Sequence, residues 1–225
     1  MDKLILELQN GQAAGDTLVM TCAVRDLKRN FPDKYDIRVV TNYMHMWDHN
    51  PYITDKDAPA DIIIKVGTGI GVQSSNSSGL HMCNAYRLSI EHKINLHIPQ
   101  GPIRPDVHLS DVEIQRPPLI LGRYWIIDPG TRKQFTAKIW HYARWQEVID
   151  AIPNMTFVQI GMSDSAAPIL KGPNVVNFRG KTEDPDTGIR DLFNLFYHCE
   201  GSMGLVSFQM HLAAAFMISD FVVVG

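Results

Sequence analysis

The chain has 225 residues, a length that fits one large or two small α/β domains. Hydrophobic residues make up 45% and charged residues 20%, a globular balance with enough apolar mass for a core. A net charge of -3 and a pI of about 6.3 exclude a global electrostatic pull toward nucleic acid or an anionic membrane.

The predicted elements alternate between short apolar runs and helical stripes, the pattern of βα units and a mainly parallel sheet. Leu4 to Leu8 predicts a first strand, and Thr17 to Phe31 a helix with apolar positions at Leu18, Val19, Cys22, Ala23, Leu27 and Phe31, closed by Pro32. Asp36 to Thr41 and Asp61 to Val66 predict strands, the serine-rich patch from Ser74 to Gly79 a flexible loop, and Ser78 to Lys93 a helix capped by Ser78. Residues 98–118 are rich in proline and polar side chains and read as a linker, giving an N-terminal domain over 1–118 and a C-terminal domain over 119–225. The rhythm then restarts, with strands at Tyr124 to Ile127, Thr156 to Ile160, Val175 to Phe178, ending at Leu205 and Val206, and at Phe221 to Val224. Helices are expected at Trp140 to Ile152, Thr187 to His198 and Ser207 to Met217. A bare final strand normally has a covering helix after it, so the second domain is expected to be incomplete at Gly225.

Cys22, Cys83 and Cys199 are odd in number, far apart and without CxxC spacing, which argues against a disulfide framework or zinc knuckle and for a reducing cytoplasm. No stretch reaches the ~20 apolar residues of a membrane span, and the N-terminal apolar run is short and broken by charge. The nine histidines show no HExxH or paired spacing, so no metal site is expected. Gly67, Gly69 and Gly71 follow a strand but lack the spacing and the apolar helix of a dinucleotide fingerprint.

Three loops at the carboxyl ends of predicted strands can carry chemistry, because ligands of doubly wound sheets bind there. The first runs from Asn10 to Thr17; its glycines, Gly11 and Gly15, permit close backbone approach, and Asp16 is either a general base or an N-cap of the following helix. The second, Asp128 to Trp140, turns at Pro129-Gly130 and then presents Arg132, Lys133 and Lys138, either a phosphate site or a solvated basic loop. The third begins at Ser207, whose helix offers first-turn amides to a diphosphate, with His211 in that turn as a structural or a ligand-side histidine.

These loops, in this order, resemble glycosyltransferase family 9, the ADP-heptose:lipopolysaccharide heptosyltransferases. The resemblance rests on Gly15-Asp16-Thr17-Leu18, Leu27-Lys28-Arg29-Asn30, Phe31-Pro32-Asp33, Ile37 to Asn42 and Asn50-Pro51-Tyr52 in the first half. In the second half it rests on Pro129-Gly130, Lys138-Ile139-Trp140, Gln159-Ile160-Gly161, Gly180-Lys181-Thr182 and Met210-His211-Leu212-Ala213-Ala214-Ala215. It implies a GT-B fold of two Rossmann-like domains, acceptor mainly on the first and donor nucleotide mainly on the second. It also implies an inverting, metal-independent transfer, without cofactor, from a nucleotide-diphosphate sugar (ADP-heptose in the family) to a glycan-type hydroxyl. Asp16 would take the acceptor's proton; Gly15, Thr17, Gly130, Thr131, Lys138, Thr182, Ser207, Gln209 and His211 would line the donor and its phosphates. No nucleic acid and at most peripheral membrane contact are implied. The family's acidic residue five positions before the histidine and its glycine three before are here Val206 and Phe208, which resembles a divergent branch with a glycine-rich, cysteine-containing segment expected beyond Gly225. Two other readings remain: a non-catalytic sugar-nucleotide-binding protein, and a GT-B nucleotide-sugar epimerase or hydrolase.

Overall fold

The structure is a computed structural model describing residues 3–54, 57–67, 79–130, 138–165, 167–184 and 187–224. The chain forms two compact units that divide between Ser110 and Asp111, inside the proline-rich stretch.

In the first unit, β1 (Leu4–Asn10) is the central strand of a parallel sheet ordered β2-β1-β3, with β2 at Tyr35–Thr41 and β3 at Ile62–Lys65. The register puts Leu6 opposite Ile37 and Ile62, and Leu8 opposite Val39 and Ile64. β1 reads as an apolar run because a central parallel strand is covered on both faces. α1 (Ala14–Asn30) packs beside α2 (Met82–Ile94); Leu18, Val19, Cys22 and Leu27 of the first and Ala85, Tyr86 and Ile90 of the second are buried. A single 3₁₀ turn over Met44–Trp47, not foreseen from sequence, plugs the core with Met46 and Trp47. The α2 helix starts later than expected: His81 is its N-cap and accepts from the Cys83 N–H, while Ser78 and most of the serine-rich patch lie outside the described residues.

In the second unit, β4 (Tyr124–Asp128), β5 (Thr156–Gln159), β6 (Val175–Asn177), β7 (Gly201–Leu205) and β8 (Ser219–Val223) form a parallel sheet ordered β6-β5-β4-β7-β8. The order reverses beside β4, the switch point at which such sheets bind ligands. A short α3 (Asp111–Gln115) precedes the sheet; α4 (Tyr142–Ala151), α5 (Gly188–His198) and α6 (Phe208–Phe216) are the other helices of this unit among the described residues. Ile127, Trp145, Ile149, Phe157, Leu170 and Leu205 form the core, with the Trp140 ring edge-on to Trp145 at 4.8 Å.

The proline-rich stretch is tied down at both ends, unlike a free linker. Arg25, 1% exposed, donates to the carbonyls of Pro102 and Arg104, and Asp26 accepts from the Gly101 N–H at 2.9 Å. Further on, Arg190 of α5 grips Glu113 of α3 through two 2.6 Å contacts, so residues 111–115 are helical where loop was expected. All three thiols are free and buried.

Candidate active site

In the first unit the β1–α1 loop sits at the carboxyl edge of the sheet, as the alternation requires. The helix starts earlier than expected, at Ala14, with Ala13 extended as its N-cap and making no side-chain cap bond. Asp16 is therefore not the N-cap. It occupies the first turn, half-buried, where a carboxylate is favoured by the helix dipole and remains accessible. Gly15 lies beside it in the same turn. Thr17, expected among the donor contacts, points the other way: it is 0% exposed, its N–H bonds to the Ala13 carbonyl, and its hydroxyl has no partner in the core.

The loop is tied through Gln12 to Gly67 and to Tyr86, a residue that sequence reasoning passed over. Gln12 donates its amide N–H to the Gly67 carbonyl at 3.0 Å, and its Oε1 accepts from the Tyr86 hydroxyl at 2.8 Å. The Gln12 backbone N–H bonds to Asn10 Oδ1 at 2.9 Å. Tyr86 comes from α2 and is fully buried. Burial, reinforced by the Asp16 charge, holds its phenol far above the ordinary tyrosine range, so it stays neutral. Gly67 sits at φ +95° directly against Gln12, leaving no room for a Cβ.

In the second unit β4 and β7 are neighbours, and Asp128 at the end of β4 pairs with Gly204. The Asp128 carboxylate accepts from the Gly130 N–H at 3.0 Å and from the Ser207 hydroxyl at 3.4 Å. Burial pushes this carboxyl up to about 6, against the Gly130 and Ser207 hydrogen bonds and the Arg179 charge, which pull it down. Gly130 is close-packed on Asp128, so a side chain there would collide. The Ser207 hydroxyl is turned to Asp128 and makes no cap bond to α6. Lys138, exposed, donates to the Val206 carbonyl at 3.3 Å, which places an ammonium group beside the same helix N-terminus. His211 is half-buried in the first turns of α6.

Another expected donor residue is placed elsewhere. Gln209 is 0% exposed and turns into the sheet, donating to Ser202 Oγ at 2.7 Å and Asp220 Oδ1 at 2.5 Å. The reason is Gly204: a Cβ there would lie 2.5 Å from Gln209 Oε1, so the glycine opens the space into which the amide folds. Gln209 thus fastens α6 to β7 and β8. Thr182 belongs to the loop between β6 and α5, where its carbonyl lies against Gly188. Arg179, also missed, binds the carbonyls of Ala167 and Ser165 at 2.6 and 2.9 Å and so shapes the loop after β5. Thr131, Arg132 and Lys133 lie outside the described residues. Among the described residues no group of three or more His, Cys, Asp or Glu is placed to hold a metal ion, and no helix is long and apolar enough to cross a membrane.

No protein-family profile matches the chain, and no curated protein does. Solved structures match it over its whole length. The dodecameric iron-containing heptosyltransferase TibC of enterotoxigenic E. coli H10407, in complex with ADP-D-β-D-heptose, has a TM-score of 0.71 at 16% identity, covering 100% of this chain and 58% of that one. A glycosyl transferase family 9 protein from Veillonella parvula has a TM-score of 0.70 at 13% identity, covering 99% and 81%. The E. coli heptosyltransferase WaaC with ADP-2-deoxy-2-fluoro heptose has a TM-score of 0.60 at 12% identity, covering 97% and 88%. The chain thus spans somewhat over half the length of TibC. The fold is that of the GT-B, heptosyltransferase-like glycosyltransferases, two α/β units with mainly parallel sheets.

Proposed function

We propose that the chain is a heptosyltransferase-like glycosyltransferase that moves a sugar from an ADP-linked donor to a hydroxyl on a glycan. The observation that carries this reading is the assembly at the β4–β7 switch point. There Lys138, an α6 N-terminus whose N-cap Ser207 makes no cap bond, and the Asp128–Ser207 pair converge on one edge of the sheet. Uncapped amides and an ammonium group together suit a diphosphate, which carries charge spread over several oxygens. The structures that share the fold include two solved with ADP-heptose or an analogue of it, which supports the choice of donor.

In this reading the second unit holds the nucleotide and stabilises it as it leaves. Lys138 and the α6 amides face the charge that accumulates on the diphosphate when the anomeric C–O bond breaks, and this electrostatic stabilisation supplies much of the rate. Asp16, on the first unit, removes the acceptor hydroxyl proton as the new glycosidic bond forms on the opposite face of the sugar, so the anomeric configuration inverts. No residue is assigned to a metal, because charge on the leaving group is met by Lys138 and backbone dipoles. Val206, standing where the family has an acidic residue, leaves the sugar without that carboxylate, so sugar selection rests on other groups. The reading places the reaction in the cytoplasm, with heptose as the sugar and lipopolysaccharide core as the acceptor class.

Calorimetric titration with ADP, UDP and GDP, on the wild type and on Lys138→Ala, tests it. ADP should bind most tightly, and Lys138→Ala should weaken it ~10-fold or more, the worth of one charge-assisted hydrogen bond. Failure of every nucleotide to bind, or equal binding by the variant, overturns the proposal.

A further inference from the structure

We infer that Asp128 is a positioning residue that holds the Ser207 hydroxyl away from the first-turn amides of α6 and so keeps them open to the donor's diphosphate; this rests on the transferase reading above for the identity of the anion. Ser207 is the N-cap of α6, and its backbone is extended (φ -150°, ψ -171°), the conformation from which a serine oxygen ordinarily accepts from the second or third helical N–H. The oxygen makes no such bond. It is turned instead to the end of β4, where the hydroxyl donates to Asp128 Oδ2 at 3.4 Å. Asp128 can hold it there because the carboxylate is itself fixed. Its Oδ1 accepts from the Gly130 N–H at 3.0 Å, and its backbone is paired with Gly204 of β7. One carboxylate oxygen thus steadies the turn after β4, and the other withdraws the cap.

The side chains of the first turn offer no replacement cap. Phe208 and Met210 carry no oxygen, so the third helical position lacks the glutamate or glutamine of a capping box. Gln209 is folded into the sheet on Ser202 and Asp220. Lys138 adds its ammonium group at the Val206 carbonyl, one residue before the cap. Burial lifts the Asp128 carboxyl to about 6, which still leaves it ionised, and an acceptor only, at pH 7.5. A capping hydroxyl and a phosphate oxygen compete for the same N–H groups, and a phosphate that must first displace a serine cap loses ~5-fold in affinity.

The test is a double-mutant cycle of Asp128→Ala and Ser207→Ala in the full chain, read by calorimetric titration with ADP and, in parallel, with inorganic pyrophosphate. Asp128→Ala should weaken both ligands ~5-fold more when Ser207 is present than in the Ser207→Ala background, where no hydroxyl remains to close the helix. The repulsion between the carboxylate and the phosphates is lost in both backgrounds and cancels. Asp128→Asn, whose carbonyl can accept from Gly130 and whose amide can donate to the Ser207 oxygen, should recover most of the loss. Asp128→Leu, close to aspartate in shape, carries the cycle if Asp128→Ala does not fold. Damage to the turn after β4 weakens binding whether or not the hydroxyl is there. Equal losses in the two backgrounds, or a larger loss without Ser207, therefore overturn this inference and leave the transferase reading standing where the wild type binds ADP. Pyrophosphate that follows the cycle in a protein that binds no nucleotide supports the hold of Asp128 on Ser207 and overturns the transferase reading. A wild type that binds neither ligand overturns both.

Discussion

Asp128 shows how one side chain links the fold to pH. The unfolded chain ionises this carboxyl near 3.8 and the folded chain near about 6, so between those values the folded state holds a proton that the unfolded state has lost. Its contribution to stability is therefore greatest below the unfolded value and is lost as pH rises through 6. Asp128→Asn keeps an acceptor for the Gly130 N–H and cannot ionise. Relative to wild type, its unfolding free energy should rise by about 1 kcal/mol between pH 5 and pH 7.5. Urea denaturation at the two pH values measures this, and a pH-independent difference would show that Asp128 ionises as freely as an exposed carboxylate. Nothing in the local sequence singles this residue out, because an aspartate ahead of Pro-Gly is what any turn offers. Its weight comes from β7, which brings Ser207 and Gly204 alongside it and is more than seventy residues away in the chain.

At the scale of elements, the tie between α1 and residues 98–106 is built on a buried charge pair. Arg25 contacts Asp26 at 2.9 Å, with side chains 2% and 6% exposed, and Asp106 lies 3.8 Å from the same guanidinium. Removing one partner of such a pair strands the other in the core. Arg25→Met should therefore lower the stability of the first unit by about 3 kcal/mol and make the 98–106 stretch cleavable under native conditions. Chemical denaturation and limited proteolysis would show both; resistance to cleavage together with wild-type stability would mean that the tie contributes nothing. Alternation of apolar runs and helical stripes made β1 to β6 and most helices legible, because parallel strands are written as short β-branched or aliphatic runs. β7 was only half legible: Gly201-Ser202-Met203-Gly204 carries no such run. Its glycines are there because Trp125 and Gln209 cross them, with a Cβ at position 201 falling 2.7 Å from the Trp125 ring. The same hidden packing misled the reading of Gln209, which has the position of a ligand contact in sequence and the role of a tether in space. Tyr86 was invisible for the opposite reason, since a tyrosine in an apolar helical stripe looks like core until its hydroxyl partners are known.

At the scale of the whole molecule, the proposed function divides the chemistry as the chain divides the fold. Asp16, its proposed base, belongs to residues 1–110, and Asp128, Lys138, Ser207 and the α6 N-terminus belong to residues 111–225. The second unit has its own five-stranded sheet, switch point and core, and its leading helix α3 is tied to α5 by the Glu113–Arg190 and Arg116–Asp191 pairs. A unit with that much internal structure meets the criteria for folding alone. Residues 111–225 expressed separately should therefore give a cooperative thermal transition and bind ADP within about threefold of the full chain, a difference of roughly 0.7 kcal/mol. Asp16→Asn in the full chain should leave the ADP affinity unchanged, since the proposed base is on the other unit. A folded fragment that binds ADP far more weakly than the full chain would assign part of the nucleotide site to the first unit. Donor and acceptor recognition would then be coupled through the nucleotide itself, and the division of labour between the units would have to be redrawn.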